Sequence, residues 1–260
     1  MGRGSMWWAV RCATTTAVAL VVGMVGGGAA YAQSTVAAWM MDEPAGATVM
    51  TDSSPDGFNG ALRGDVVTGV AGVTGQAGDR AYRFNDGATC NASTGTQTGT
   101  GFVVVSSGVV GISTPTQPTF NPGSQPFSFS MWVNTTATPG TGICDFDLIR
   151  KGGGWKMEIF PFNHVAQPYC VWAGILNGTH VKVGLHKPLP VGAINNGMWH
   201  KITCQRTAGG EALIVDGATL ASSSVDVGSI SNKADVFIGS QSRAEDFYPG
   251  LIDETSFAVG

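Results

Sequence analysis

From residue 33 onward, apolar and polar residues follow one another with a period of two or gather into short apolar runs. No dozen residues keep an apolar stripe at three-four spacing without Gly, Pro or a polar cluster breaking it. The runs are Val36 to Met41, Ala81 to Phe84, Phe127 to Val133, Phe146 to Ile149, Trp155 to Phe160, Cys170 to Ile175, Val181 to Leu185, Trp199 to Arg206, Ala212 to Val215, Val236 to Gly239 and Leu251 to Val259. Turn sequences separate them, among them Ser54-Pro55-Asp56-Gly57, Asn85-Asp86-Gly87, Asn121-Pro122-Gly123, Gly152-Gly153-Gly154, Asn195-Asn196-Gly197 and Asp216-Gly217. The pattern predicts an all-β chain. Roughly a dozen strands do not lie in one open sheet without curling, so two packed sheets are expected. Strand faces are legible too: in Val181–Leu185 the odd positions are apolar, which turns Lys182, His180 and His186 outward, and in Phe127–Met131 the aromatic face is buried and the serines look out. The stretch Gly87 to Gln125, rich in Thr, Ser and Gly with one apolar run at Phe102 to Val105, reads as a partly ordered insertion at the sandwich edge.

The first 32 residues are of another kind. Arg3 and Arg11 precede an apolar stretch from Ala13 to Val25, and Ala30-Tyr31-Ala32 offers small residues for cleavage, which reads as a signal peptide over 1–32 with an uncleaved anchor as the alternative. The expected domain is then 33–260, secreted and without a further membrane span. Losing Arg3 and Arg11 moves the formal charge from −4 to −6, and there is no Lys/Arg run, so a nucleic-acid or anionic-membrane surface is not expected. Charged residues are 12% of the chain against 38 glycines, a composition that suits strands and turns. Beyond the leader the cysteines are Cys90, Cys144, Cys170 and Cys204, an even set with three possible connectivities.

Several stretches, taken in order, carry a resemblance. Ala38-Trp39-Met40-Met41-Asp42-Glu43 is followed by Gly46, Asp52-Ser53-Ser54 and Gly57-Phe58-Asn59-Gly60-Ala61-Leu62. Next come Ala81-Tyr82-Arg83-Phe84 with Gly87, and Phe127-Ser128-Phe129-Ser130-Met131-Trp132-Val133. The series ends with Gly197-Met198-Trp199-His200-Lys201-Ile202 leading to Val215-Asp216-Gly217, and Gly250-Leu251-Ile252-Asp253-Glu254. The chain resembles a laminin G-like domain of the concanavalin A-like lectin and glucanase superfamily. That resemblance implies a jelly-roll sandwich of two antiparallel sheets with the first and last strands as neighbours. The Gly87 to Gln125 stretch departs from the family pattern. Position within the implied fold favours Cys170 with Cys204, both in strands of the central meander, and Cys90 with Cys144, both in or beside loops.

Candidate chemistry is sparse. Some members of the superfamily hydrolyse β-glucans with two carboxylates on one strand, as retaining hydrolysis needs an acid and a nucleophile about 5 Å apart. Asp145-Phe146-Asp147 is the nearest match but lacks the glutamates of that motif, and Glu158 is flanked by Lys156 and Phe160. The histidines His164, His180, His186 and His200 have no zinc spacing, and no Gly-x-Ser-x-Gly turn is present. The resemblance implies a structural calcium site where the first and last strands meet, with Asp42 and Asp253 as ligands and Asp52 and carbonyls around Gly57 as additions. For sugar recognition, Trp155, Tyr169, Trp172 and His180, with His164, are the candidate surface; the competing reading makes Trp132, Trp172 and Trp199 core residues, and Trp155, directly after three glycines, suits core and groove equally. The expectation is a non-catalytic module binding an extracellular glycan or protein. A glycan-cleaving hydrolase and a structural cell-envelope protein are the alternatives.

Overall fold

A computed structural model describes residues 33–91, 96–105, 120–140 and 144–260. The leader read over 1–32 lies outside the described residues. Among the described residues eighteen strands run in chain order: β1 (Ser34–Trp39), β2 (Val49–Met50), β3 (Gly60–Arg63), β4 (Val66–Ala71), β5 (Arg80–Phe84), β6 (Cys90–Asn91), β7 (Thr96–Gln97) and β8 (Phe102–Val105). They continue as β9 (Phe127–Asn134), β10 (Phe146–Lys151), β11 (Trp155–Phe162), β12 (Val165–Leu176), β13 (Thr179–Leu185), β14 (His200–Thr207), β15 (Gly210–Val215), β16 (Ala218–Ser223), β17 (Val236–Ile238) and β18 (Gly250–Val259). No helix among the described residues is long and apolar enough to cross a membrane.

Sixteen of these strands form two eight-stranded antiparallel sheets, as a jelly-roll sandwich of the concanavalin A type requires, and β6 pairs with β7 in a separate two-stranded sheet. In the first the order is β16-β15-β14-β9-β18-β5-β4, with β1 also paired to β18; in the second it is β13-β12-β11-β10-β17-β8-β3-β2. First and last strands are therefore neighbours, Ser34 opposite Val259 and Trp39 opposite Thr255. β18 serves β5 over Gly250–Ile252 and β1 over Thr255–Val259, and its pairing with β9 slips between Asp253 and Ser256. At that bulge Glu254 takes φ +44°, and the Asp253 carboxylate accepts from the Glu254 N–H at 2.8 Å, which holds the turned backbone.

Alternation sorts the side chains as the pleat demands. Phe127, Phe129, Met131 and Val133 of β9 are buried while Ser128, Ser130, Trp132 and Asn134 are half-buried on the outer side. Between the sheets Trp155 packs on Phe129 (ring centroids 4.6 Å) and stacks on Phe257 (5.1 Å), and its indole N–H donates to the Phe120 carbonyl at 3.1 Å. Two disulfides are present among the described residues, Cys90–Cys144 and Cys170–Cys204, the pairing that position favours. The second joins β12 to β14, strands of different sheets, so it crosses the core instead of stapling neighbours within one meander.

One reading of the Gly87–Gln125 stretch is corrected. Phe102–Val105 is β8, an inner strand between β17 and β3, with all four side chains buried. Val103 and Val105 face the core, while Phe102 and Val104 join Phe247 in a small apolar cluster on the opposite side. A strand covered on both faces carries a continuous apolar run, not an alternating one.

Candidate functional site on the outer face of the second sheet

The outer face of the second sheet is built by the residues whose neighbours point into the core. On β11, Trp155, Met157 and Ile159 face inward, which sends Lys156, Glu158, Phe160 and Phe162 outward. Register then places Asp147 of β10 opposite Glu158, and Glu158 opposite Tyr169 of β12. Beyond Tyr169, β13 presents Gly184, where a Cβ would lie 2.1 Å from the Tyr169 phenol oxygen; glycine lets the ring lie on that strand.

An aromatic strip results. Phe160 and Tyr169 have ring centroids 5.7 Å apart, Tyr169 and His186 5.7 Å, and Phe162 and His186 4.2 Å. All four are half-buried. Buried Gln167 pins the chain after β13 against the strip: its carboxamide accepts from the Leu189 N–H at 2.8 Å and donates to the Leu189 carbonyl at 3.2 Å.

Beside the strip lies a charged cluster under cover. Asp147 is fully buried and Glu158 is 1% exposed. The Lys156 ammonium is 3.7 Å from Asp145 and 3.9 Å from Asp147, and it donates to Glu158; Arg150 pairs with Asp147 at 3.1 Å. Four carboxyl groups, Asp246 included, face two cations, so full ionisation would leave a formal excess of two negative charges. Burial, the hydrogen bond with Asp145 and the charge of Asp147 push Glu158 up to about 9 against the pull of Lys156. Burial and the charge of Asp145 push Asp246 to about 8. Burial raises Asp147 to about 6 despite Lys156 and Arg150. Asp145 goes the other way: burial opposes its charge, but the hydrogen bond with Glu158 and the Lys156 ammonium lower it. Burial and mutual repulsion thus favour proton retention within the carboxyl cluster, which brings it towards charge balance.

The expected surface is only partly assembled. Tyr169 stands on the outer face. Trp155 and Trp172, 1% and 0% exposed, are core residues and not part of any surface. The reason is pleat parity: Tyr169 and Trp172 are three residues apart on β12 and so point to opposite faces. His180 is exposed but pairs with Ile175, about 20 Å along the strand from Tyr169 at roughly 3.3 Å per residue. His164 lies exposed in the β11–β12 turn. Phe160, Phe162 and His186 were not put forward as ligand contacts, though the alternation that sends Glu158 outward sends both phenylalanines with it.

The carboxylates expected to hold calcium serve the backbone. Asp42 accepts from the Arg80 N–H at 2.8 Å, and Asp253 from Val73 at 2.8 Å and from Glu254. Asp52 accepts from Ala38, Ser54 and Phe58 N–H groups and from the Ser54 hydroxyl. Among the described residues no three His, Cys, Asp or Glu side chains are arranged to hold a metal ion.

The family model for laminin G of the concanavalin A-like lectin/glucanases superfamily matches residues 106–257, more than half of the chain. The chain belongs to this family. Solved structures similar to this laminin G-like chain include the binding domain of Paraclostridial Mosquitocidal Protein 1 (16% identity, TM-score 0.56, covering 86% of this chain and 48% of that one). The botulinum neurotoxin serotype D binding domain is similar at 12% identity and TM-score 0.54, covering 86% and 48%. The serotype G binding domain matches at 12% and 0.54, covering 86% and 47%. The laminin G-like chain spans about half the length of these structures, and likeness at such identity is likeness of fold. No curated protein matches its sequence.

Proposed function

We propose that this chain is a secreted, non-catalytic recognition module that binds carbohydrate on the outer face of its second sheet. The observation that carries the reading is the strip Phe160–Tyr169–His186–Phe162, half-open to solvent, with the Lys156 ammonium at one side and the Gln167-anchored chain at the other. Sugars present apolar CH faces that rest on aromatic rings and hydroxyls that need fixed polar partners, and a flat sheet face offers both. The solved structures of like fold carry the name of binding domains, which agrees with this use of the sandwich. Two disulfides suit an oxidising, extracellular setting. A glycan array probed with the purified protein tests the proposal: binding lost in Tyr169→Ala supports it, and an array without any hit opposes it.

Glycan cleavage is a second reading, favoured by one observation: Asp147 and Glu158 stand opposite each other on adjacent strands, and Glu158 and Asp145 shift in opposite directions. Both Asp147 and Glu158 are closed off from solvent, which counts against attack on a bound glycan. Reducing-end release from a polysaccharide, abolished in Glu158→Gln or Asp147→Asn, would replace the first reading with the second.

A further inference from the structure

At the tip of the β14–β15 hairpin, in the first sheet and away from the aromatic strip, a cleft of about 350 Å³ opens between the hairpin and the segments around Ser124 and Asp226. Arg206 and Glu211 are opposite each other across the hairpin, on the side that Cys204 and Leu213 present to the core. They occupy the end of that row, where the sheet runs past the apolar interior, and both line the cleft.

Their partners are unequal. Arg206, 5% exposed, donates to the Gly123 carbonyl at 3.2 Å and to Asp226 at 3.1 Å. Asp226 also accepts from the Gly228 N–H at 2.7 Å, so it is held in place to neutralise the guanidinium. Glu211 is 2% exposed, yet neither of its carboxylate oxygens has a hydrogen-bond partner in another described residue. Burial pushes its pKa up, against the pull of Arg206 and of its own backbone N–H. A buried carboxylate without donors is costly, and Arg206, the cation that acts on it, is already paired with Asp226.

We propose that this cleft is a binding site for a cationic N–H donor, a guanidinium or primary ammonium head group, with Glu211 as its acceptor. Such a group brings the missing charge and two N–H bonds for the two unpartnered oxygens, which are closed to solvent and must turn into the cleft for guanidinium and carboxylate to meet side by side. A neutral polyol supplies donors but leaves the charge. A calcium ion wants six or more oxygen ligands, more than the two that Glu211 leaves unpartnered.

The test is a titration of the isotopically labelled full chain, followed by amide shifts, with methylguanidinium and ethylammonium chloride against sodium chloride, glycerol and calcium chloride at matched concentration. Saturable shifts of Gly209, Gly210 and Ser224 are expected with the two organic cations. They should be weakened at least about tenfold in Glu211→Gln, as befits a hydrogen bond between charged groups. Asp226→Asn keeps Glu211 and frees the Arg206 charge, so it too should weaken the cations. Shifts reproduced by glycerol, calcium or sodium chloride, shifts unaltered in both variants, or none with either organic cation would overturn the proposal.

Discussion

The buried carboxyl groups link protonation to stability. Glu158, Asp246, Asp147 and Asp253 are held at about 9, 8, 6 and 7, above the ordinary carboxylate range, in each case chiefly by burial. The folded chain therefore keeps protons that the unfolded chain releases near pH 4. The stability these four groups contribute is full below that pH and is lost as pH rises through the folded values. The urea midpoint should be higher at pH 5 than at pH 9; a midpoint that climbs across this range contradicts the assignment. Glu158→Gln, locked in the uncharged form, should remove on the order of 1–3 kcal/mol of that loss. At the same scale, Trp172→Ala should cost about 3–5 kcal/mol, as for a large core side chain, and a cost under about 1 kcal/mol would return Trp172 to the surface. Tyr169 and Trp172, expected together on one surface, lie on opposite faces of β12. Pleat parity alone separates them, whereas the meeting of Asp246 with Asp145 depends on a loop whose path no local pattern encodes.

Among elements, the Cys170–Cys204 bridge ties β12 to β14 through the core and closes a separation of 34 residues. Replacing both cysteines by alanine should lower stability by about 2–5 kcal/mol, measured by chemical denaturation at fixed pH. Little change would mean that the two sheets hold together without the bridge. Strands with clean alternation or dense apolar runs, such as β9, β11, β13 and β14, are legible from residues alone. β16 is not, because an edge strand written Ala-Thr-Leu-Ala-Ser-Ser buries too little to imprint a pattern. β4 is interrupted by Gly69 at φ +78°, where its register against β5 slips between Val67 and Val70. β8 is visible as an apolar run, but its place between β17 and β3 follows from long-range pairing that composition cannot disclose.

At the scale of the molecule, the order of short motifs from Trp39 to Asp253 discloses the sandwich, since each marks a strand or turn that the topology fixes in sequence. The ligand face is less legible: it assembles from β11, β12 and β13 with the chain around Leu189, and the sandwich tolerates many surfaces on one core. We propose that the Tyr169 strip is where sugar binds. The most direct test is the affinity of the best array-positive glycan, measured by titration calorimetry for the unaltered chain, Tyr169→Ala, and Trp132→Ala on the outer side of the other sheet. Loss of about tenfold or more in Tyr169→Ala, with Trp132→Ala unchanged and both variants folded, is the predicted result. Equal affinity in Tyr169→Ala and the unaltered chain would contradict it.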